Sequence, residues 1–488
     1  MKNNSQWNSI YTFIVAMIGL TIGIGNIWRF SYVLYSNGGG FFFIPYFIAI
    51  FVMGIPFLIL EYGLGFSLKK SFSKLMHDIR PEFEVIAWML VLFVFIVVIY
   101  YMVILAWDLI YLISSFTSAW GSDTTSFFVN NVGGNSNLTS SVSIIIPTFI
   151  SVIVLWAIFW YVSNHEVNVG IGMISKVLLP LLFILMIILF LYSFTLPGFS
   201  LGITTLLTPN WNALLDIRVW LAAFAQIIFT LSIGQAMVYT YASYLSENTK
   251  LIDDVLIVVA SNSFYEIFVA FGVFSILGYM SLTSSVPIDE LITSGSGLIF
   301  IVFPQIFNAM GSAGHILAPL LFLSILFAGF TSSLALFEPL LSSITSKFNL
   351  SRKKGVTILA SVACIFSLIF ATSIGSYLLE IVDAFVNEFA ILILVGVQSI
   401  IFAWFYGLDK VIPVLNENST FHVGKKWKFT IKYLLPIIII VIWIYGIINL
   451  FSDATLFEII VDLIITFVVL GLSVFFTKFN NINNDKYL

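Results

Sequence analysis

Uncharged polar side chains stand inside long apolar runs of this chain, where each one needs a partner. These residues are Asn26, Thr230, Ser232, Asn262 and the cluster Thr331, Ser332 and Ser333. Hard cations prefer oxygen ligands, and carbonyls freed at a helix break add to them. The set indicates a site for a hard monovalent cation, and sodium is the natural candidate. Taken singly, each hydroxyl could instead bond back to its own helix.

Three charged residues form a second layer. Arg29 lies one helical turn beyond Asn26's break, about 6 Å along a helix axis, and Asp383 lies near the outer end of a later apolar run. A buried Arg must be paired with an acidic group or be in contact with water. We therefore predict that Arg29 and Asp383 form a gate pair, with a static salt bridge as the alternative. Glu266, one turn beyond Asn262, should contact a cation site or titrate.

Two apolar runs are interrupted by small residues. The first holds Gly19, Gly23 and Gly25, and the second holds the segment 229–235 with its Thr, Ser and Gly. Unwound backbone in a bilayer is tolerated where it is buried in protein or lines a cavity. A matched pair of Gly-interrupted helices points to the binding site of a transporter. The alternative is that these glycines only permit close helix packing.

The elements that position these residues are predicted to be membrane helices. Of 488 residues, 60% are hydrophobic and 9% are charged, against about 25% charged in soluble domains, which excludes a soluble globular protein. Runs long enough to span a bilayer lie at 8–35, 41–66, 84–115, 143–162, 170–195, 217–244, 252–280, 314–343, 355–375, 378–407, 430–451 and 456–477. The net charge is only -4, so the chain lacks the excess of positive charge that binding to nucleic-acid phosphates requires.

The distribution of Lys and Arg predicts the orientation. These residues collect in every second loop, and Arg218 is the exception; the clusters are Lys69, Lys70, Lys74 and Arg80, then Lys250, then Lys347, Arg352, Lys353 and Lys354, then Lys410, Lys425, Lys426 and Lys428. Cytoplasmic loops carry such an excess. Both termini are therefore predicted to be cytoplasmic.

Six motifs in this order resemble the neurotransmitter:sodium symporter family, particularly its prokaryotic amino-acid branch, over nearly the whole chain. They are 23–30 (GIGNIWRF), 37–40 (NGGG), 44–46 (IPY), 100–101 (YY), 226–234 (QIIFTLSIG) and 328–333 (AGFTSS). The resemblance implies an all-α polytopic membrane fold of twelve transmembrane helices. It also implies two inverted five-helix repeats, 1–195 and 217–407, with unwound helices 1 and 6, followed by two C-terminal helices within 427–488.

The resemblance further implies site residues in four roles. The first sodium site would use Thr21, Asn26, Thr230 and Asn262, and the second would use Gly19, Ile22, Ala328, Thr331 and Ser332. The amino acid would contact Ile24, Gly25, Val97, Tyr101, Phe229, Thr230, Ser232, Gln235, Ser332 and Leu336. Arg29, Asp383 and Phe229 would gate the outer path, and Trp7 would plug the inner one.

Several positions separate subclasses of that family. Amine-transporting relatives carry Asp where this chain has Gly23, which favours an amino-acid substrate with its own carboxylate. Chloride-dependent relatives carry Ser where this chain has Glu266, so a permanent carboxylate near Tyr46 and Gln226 should make chloride dispensable. Proton counterflow through Glu266 is a further hypothesis.

Two further differences concern specificity and the inner gate. The bacterial leucine transporter has Phe in place of Gln235, so polar side chains are favoured here unless Gln235 finds a protein partner such as Ser232. It also has an Arg–Asp inner gate pair in place of Asn4 and Ser346, so this chain lacks both charges of the salt bridge that closes the inner side there.

The function predicted from these residues is sodium-coupled uptake of amino acids by alternating access across the cell membrane. Two sodium ions and no organic cofactor are expected. The alternative substrate is an amine or osmolyte. A membrane enzyme is disfavoured because four scattered His residues form no metal motif, and a channel would require repeated filter residues.

Overall fold

The computed structural model describes residues 6–135, 137, 142–208, 210–246, 249–292, 296–452 and 454–479, except for the side chains at positions 28, 168 and 169. This part of the chain is helical, and it holds one isolated antiparallel bridge, between Ile144 and Thr372. The all-α class predicted from the sequence is confirmed.

The helices follow one another in the order α1 to α18. Their bounds are α1 Ile10–Thr21, α2 Gly25–Ser36, α3 Gly39–Leu68, α4 Phe72–Ile79, α5 Pro81–Ser115, α6 Thr124–Asn131, α7 Ile146–Ser163, α8 Gly170–Ser193, α9 Phe199–Leu207, α10 Ile217–Thr230, α11 Met237–Ala242, α12 Leu251–Ser284, α13 Leu298–Ala309, α14 Ser312–Phe348, α15 Arg352–Phe370, α16 Gly375–Lys410, α17 Lys425–Ser452 and α18 Leu456–Lys478.

Ten of these helices are long and apolar enough to cross a membrane within the described residues. The pair α1 and α2 bends by 63°, and the chain also bends by 115° between Phe199–Leu215 and α10. The total rises to twelve if each bent pair is one span. The protein is therefore a multi-pass membrane protein, while the twelve-helix count and the inverted repeats stay predictions.

Both predicted interruptions are present. The first follows Thr21, where Ile22 leaves the helical conformation with φ −82° and ψ 99°. The second separates α10 from α11, so the run 217–244 is two helices. There Ser232, Gly234 and Ala236 all have positive φ, a conformation that costs free energy outside glycine and persists only where the surroundings fix it.

Two buried side chains satisfy the backbone of the second break. Gly234 donates its N–H to Glu61 Oε2 at 3.2 Å, and Gln398 Nε2 donates to the Gly234 carbonyl. A side chain at Gly234 would collide with Gln398 and Val395 of α16. The break is therefore held between α3 and α16.

Among the ten long spans, α5 and α14 are the most buried: their most apolar stretches are 83% and 78% buried, whereas those of α17 and α18 are 22% and 17% buried. The outer connections hold more helix than predicted. The Ser- and Asn-rich loop 117–142 contains α6, and the connection 281–313 contains the apolar helix α13. The central pair α5 and α14 is the frame against which the two breaks are placed.

Candidate functional site

Both helix breaks open onto one cavity of about 420 Å³. Its lining comes from α1, α2, α5, α10, α14 and α16. Predicted site residues on it are Thr21, Gly25, Asn26, Arg29, Val97, Tyr101, Phe229, Thr230, Ser232, Gln235, Ser332, Leu336 and Asp383. Residues more than 350 positions apart in the chain therefore share one space.

Three polar side chains close a ring beside this cavity. Asn26 Nδ2 donates to Thr230 Oγ1 at 3.1 Å and to Asn262 Oδ1 at 2.9 Å, and Asn262 Nδ2 donates to Thr230 Oγ1 at 3.0 Å. The Asn26 Oδ1 accepts from the Gly23 N–H at 2.8 Å, across the first break. Thr21, the last residue of α1, donates its hydroxyl to the Ile18 carbonyl at 3.1 Å. The structure thus brings Asn26, Thr230 and Asn262 of the first predicted sodium site together, with the Asn26 amide nitrogen facing the other two.

Glu266 adjoins that ring and is fully buried. Its carboxylate accepts hydrogen bonds from Thr230 Oγ1 at 2.6 Å, Gln226 Nε2 at 3.0 Å and Tyr46 Oη at 2.6 Å. Hydrogen bonds to a charged group are stronger than those between neutral groups. The threonine hydroxyl thus joins the buried carboxylate directly to the asparagine pair.

The second predicted sodium site lies between α1 and α14. Ser332 Oγ donates to the Gly19 carbonyl at 3.1 Å and to the Ile22 carbonyl at 3.2 Å. Thr331 Oγ1 donates to the Ala328 carbonyl at 3.0 Å. A Cβ placed on Gly19 would be 3.3 Å from the Thr331 Cβ, so the two helices are in contact at this point. All five predicted ligands meet at this contact.

Tyr101 and Phe229 border the space for an amino-acid backbone. The Ile24 N–H donates to Tyr101 Oη at 3.1 Å, while the Ile24 side chain packs toward Gly329. A Cβ on Gly25 would lie 2.3 Å from Phe229 Cε1. The Phe229 ring therefore lies directly on Gly25, where a substrate lid was predicted.

The predicted outer gate pair is not an ion pair in this structure. The Arg29 guanidinium stacks on the Phe229 ring at 4.5 Å, and the described residues give its buried Nε no hydrogen-bond partner. Asp383 Oδ1 instead accepts from Tyr100 Oη at 2.6 Å and from Asn387 Nδ2 at 2.8 Å. Both residues line the central cavity as predicted, but other donors hold the carboxylate.

Trp7 is buried on the predicted cytoplasmic side. Its indole Nε1 donates to the Tyr241 carbonyl at 2.9 Å, and its backbone N–H donates to the Tyr244 carbonyl at 3.0 Å. Tyr244 Oη donates to Glu338, which is also paired with Arg352 at 2.6 Å. Asn4 lies outside the described residues. Trp7 thus joins the N-terminal end of α1 to a network that reaches α14 and α15.

Sequence reasoning did not single out Glu61, Glu338, Glu388 or Gln398. Glu61 and Gln398 hold the second break, Glu338 anchors the inner network, and Glu388 lines the cavity. The available signal was a charged or amide residue inside an apolar run, which marks function in membranes. That signal does not identify the hydrogen-bond partner of each residue, because the partners lie on helices distant in the chain.

Comparison with known proteins is consistent with this geometry. The family model described as the sodium:neurotransmitter symporter family matches residues 4–141 and 122–460. An uncharacterized sodium-dependent transporter of Methanocaldococcus jannaschii is 36% identical over 435 residues, which are 89% of this chain and 88% of that protein. The sodium- and chloride-dependent GABA transporter 2 of Rattus norvegicus is 28% identical over 482 residues, which are 91% of this chain and 80% of that protein.

Proposed function

The chain belongs to the sodium:neurotransmitter symporter family, and from that premise we propose that it carries amino acids into the cell with sodium and without a chloride requirement. Sodium-dependent transport is the activity of the family, and the chain is not an enzyme. The substrate class, the number of sodium ions and the role of chloride are the proposed parts.

One observation carries the proposal: Asn26 belongs both to the hydrogen-bonded ring with Thr230 and Asn262 and to the lining of the central cavity. A cation held by these oxygens would be adjacent to a substrate in that cavity. A substrate carboxylate could then complete the coordination of the ion. Such a shared ligand makes sodium binding and substrate binding depend on each other, which is the requirement for coupling.

The argument for a substrate with its own carboxylate rests on Gly23. A Cβ at this position would lie 3.0 Å from Tyr101 Oη and 3.1 Å from Ser332 Oγ. The chain therefore offers no acidic side chain at this point of the first break, and the Tyr101 and Ser332 hydroxyls leave little room for one. A substrate without a carboxylate, such as an amine, would leave the cation site one ligand short.

A second sodium is assigned to the contact between α1 and α14. The Gly19, Ile22 and Ala328 carbonyls and the Thr331 and Ser332 hydroxyls supply only neutral oxygens. Neutral oxygens hold a monovalent cation without trapping it, which favours release. Because this contact joins one broken helix to the central helix α14, loss of the ion would loosen the attachment of α1.

Chloride independence rests on the three hydrogen bonds of Glu266. Its carboxylate occupies the position between Tyr46, Gln226 and Thr230 at which an anion would otherwise be needed. A fixed negative charge stabilises a nearby cation without a second ion. GABA transporter 2, by contrast, is sodium- and chloride-dependent.

Transport would follow alternating access between the two inverted repeats 1–195 and 217–407. Sodium and substrate would enter past Arg29 and Asp383, and Phe229 would close over them. The inner end would then open as Trp7 leaves the Tyr241 and Tyr244 carbonyls. This scheme places the protein in the cell membrane with both termini in the cytoplasm.

Uptake of labelled amino acids into proteoliposomes tests the proposal. An inward sodium gradient should drive accumulation, and replacing sodium by potassium outside should abolish it. Replacing chloride by gluconate should leave the rate unchanged. Accumulation of a decarboxylated amine or a carboxylate-free osmolyte in place of amino acids would contradict the substrate assignment.

A further inference from the structure

Three acidic residues of α16 line the central cavity, Glu380, Asp383 and Glu388, and Glu388 lies deeper than the predicted gate. Glu388 lies five residues after Asp383, roughly 7 Å farther along the helix axis, within the π-helical segment Phe385–Ile391. Glu388 is exposed to the space it faces, and it lines both the central cavity and an adjoining cavity of about 230 Å³.

The Glu388 carboxylate forms no hydrogen bond or ion pair with the described residues. Arg29 and Asp383 are its charged neighbours. The carboxylates of Glu380, Asp383 and Glu388 therefore share the central cavity with one guanidinium, and Arg29 is stacked on Phe229 without reaching salt-bridge distance of any of them. An acidic side chain within a membrane-spanning helix is costly, so its position marks a candidate functional site. Among the described residues, Glu388 has no counter-charge within salt-bridge distance.

Gln235 supplies an independent observation. Its side chain is only 7% exposed, it lines both cavities, and none of the described residues forms a hydrogen bond with its amide. Gln235 therefore has no hydrogen bond to Ser232 or to the described backbone, either of which would have removed its effect on substrate specificity. A polar group that lines a cavity without a protein partner can bind a ligand placed there. Gln235 therefore presents an unsatisfied polar group to whatever occupies the cavity.

We propose that Gln235 and Glu388 form a side-chain subsite that selects amino acids with a cationic side chain, such as lysine. The inference rests on the proposed amino-acid transport and specifies its substrate class. The ammonium group would be bound by the Glu388 carboxylate and the Gln235 amide oxygen. The central cavity of about 420 Å³ has room for a long side chain, and an anionic side chain would be repelled.

Lysine and norleucine provide matched probes, because they differ in the terminal ammonium and share an unbranched side chain. Their inhibition constants are measured against sodium-driven uptake of labelled alanine in proteoliposomes. In the unmodified protein, lysine should inhibit at least ten-fold more strongly than norleucine. Glu388→Gln and Gln235→Leu should each reduce that ratio at least ten-fold, while norleucine inhibition persists and shows that the variants fold.

Glu380→Gln is the matched control, since Glu380 has the same charge and also lines the central cavity, about two turns farther out on the same helix, but does not line the adjoining cavity that Glu388 and Gln235 share. It should leave the lysine-to-norleucine ratio within two-fold. Equal inhibition by the two probes in the unmodified protein would overturn the inference, as would an equal loss of the ratio in Glu380→Gln and Glu388→Gln. If neutral amino acids are carried with sodium and lysine is not, only this inference fails. If no amino acid is carried with sodium, the proposed function fails as well.

Discussion

Replacing Glu266 by serine should convert the protein to chloride dependence. Thr230 Oγ1 donates to the carboxylate at 2.6 Å, so a cation bound to that hydroxyl oxygen at about 2.4 Å would be roughly 5 Å or less from the charge. At an effective dielectric constant of about 20, the attraction is about 3 kcal/mol. Without the charge, sodium affinity should fall on the order of 100-fold.

The assay is the sodium concentration for half-maximal uptake, measured with chloride and with gluconate as the anion. Glu266→Ser should require much more sodium in gluconate and recover in chloride, because the shortened side chain leaves space for an anion beside Tyr46 and Gln226. Glu266→Gln is the control: it removes the charge but fills the space, so chloride should not restore its sodium affinity. Unchanged sodium affinity of Glu266→Ser in gluconate, or a chloride requirement in the unmodified protein, would refute the electrostatic argument.

The residues of the cavity support three further predictions. Asn26→Ala and Thr331→Ala should each weaken sodium binding at least ten-fold and abolish concentrative uptake, as measured with ²²Na and labelled substrate; unchanged sodium dependence in both would remove them from the ion sites. Gly25→Ala places a methyl group 2.3 Å from Phe229 Cε1, and such overpacking costs about 1–3 kcal/mol. Substrate affinity should therefore fall roughly ten- to 100-fold, and adding Phe229→Leu to the same chain should restore part of that affinity. Because Gly23 supplies no carboxylate, a decarboxylated amine should not compete with its parent amino acid, and competition by the amine would show that the substrate carboxylate is not a ligand.

The sequence by itself determined that the chain is a membrane protein, and its motifs, through the family they resemble, named many of the residues that line the cavity. Hydrophobic length fixed the spans, because a helix needs about 20 apolar residues to cross the bilayer. Gly19, Gly23 and Gly25 in one span, and the small and hydroxyl residues of 229–235 in another, predicted two breaks, which the structure places at 22–24 and 231–236. Polar residues at those breaks, such as Asn26 and Thr230, have few roles other than binding when they lie inside an apolar run. These are local properties, and each can be recognised from neighbouring residues in the chain.

The tertiary structure decided which polar groups face one another. Arg29 and Asp383 were matched by depth, yet Tyr100 and Asn387 hold the carboxylate. Asn387 lies one turn from Asp383 on the same helix, whereas Tyr100 reaches the carboxylate only through the rotation of α5, which no local pattern reveals. The sequence left open whether the Gln235 amide bonds to the protein. The packing of the surrounding helices leaves this amide without a hydrogen-bond partner among the described residues. Such pairings depend on the rotation and tilt of helices far apart in the chain, and these are set by the packing of the whole bundle.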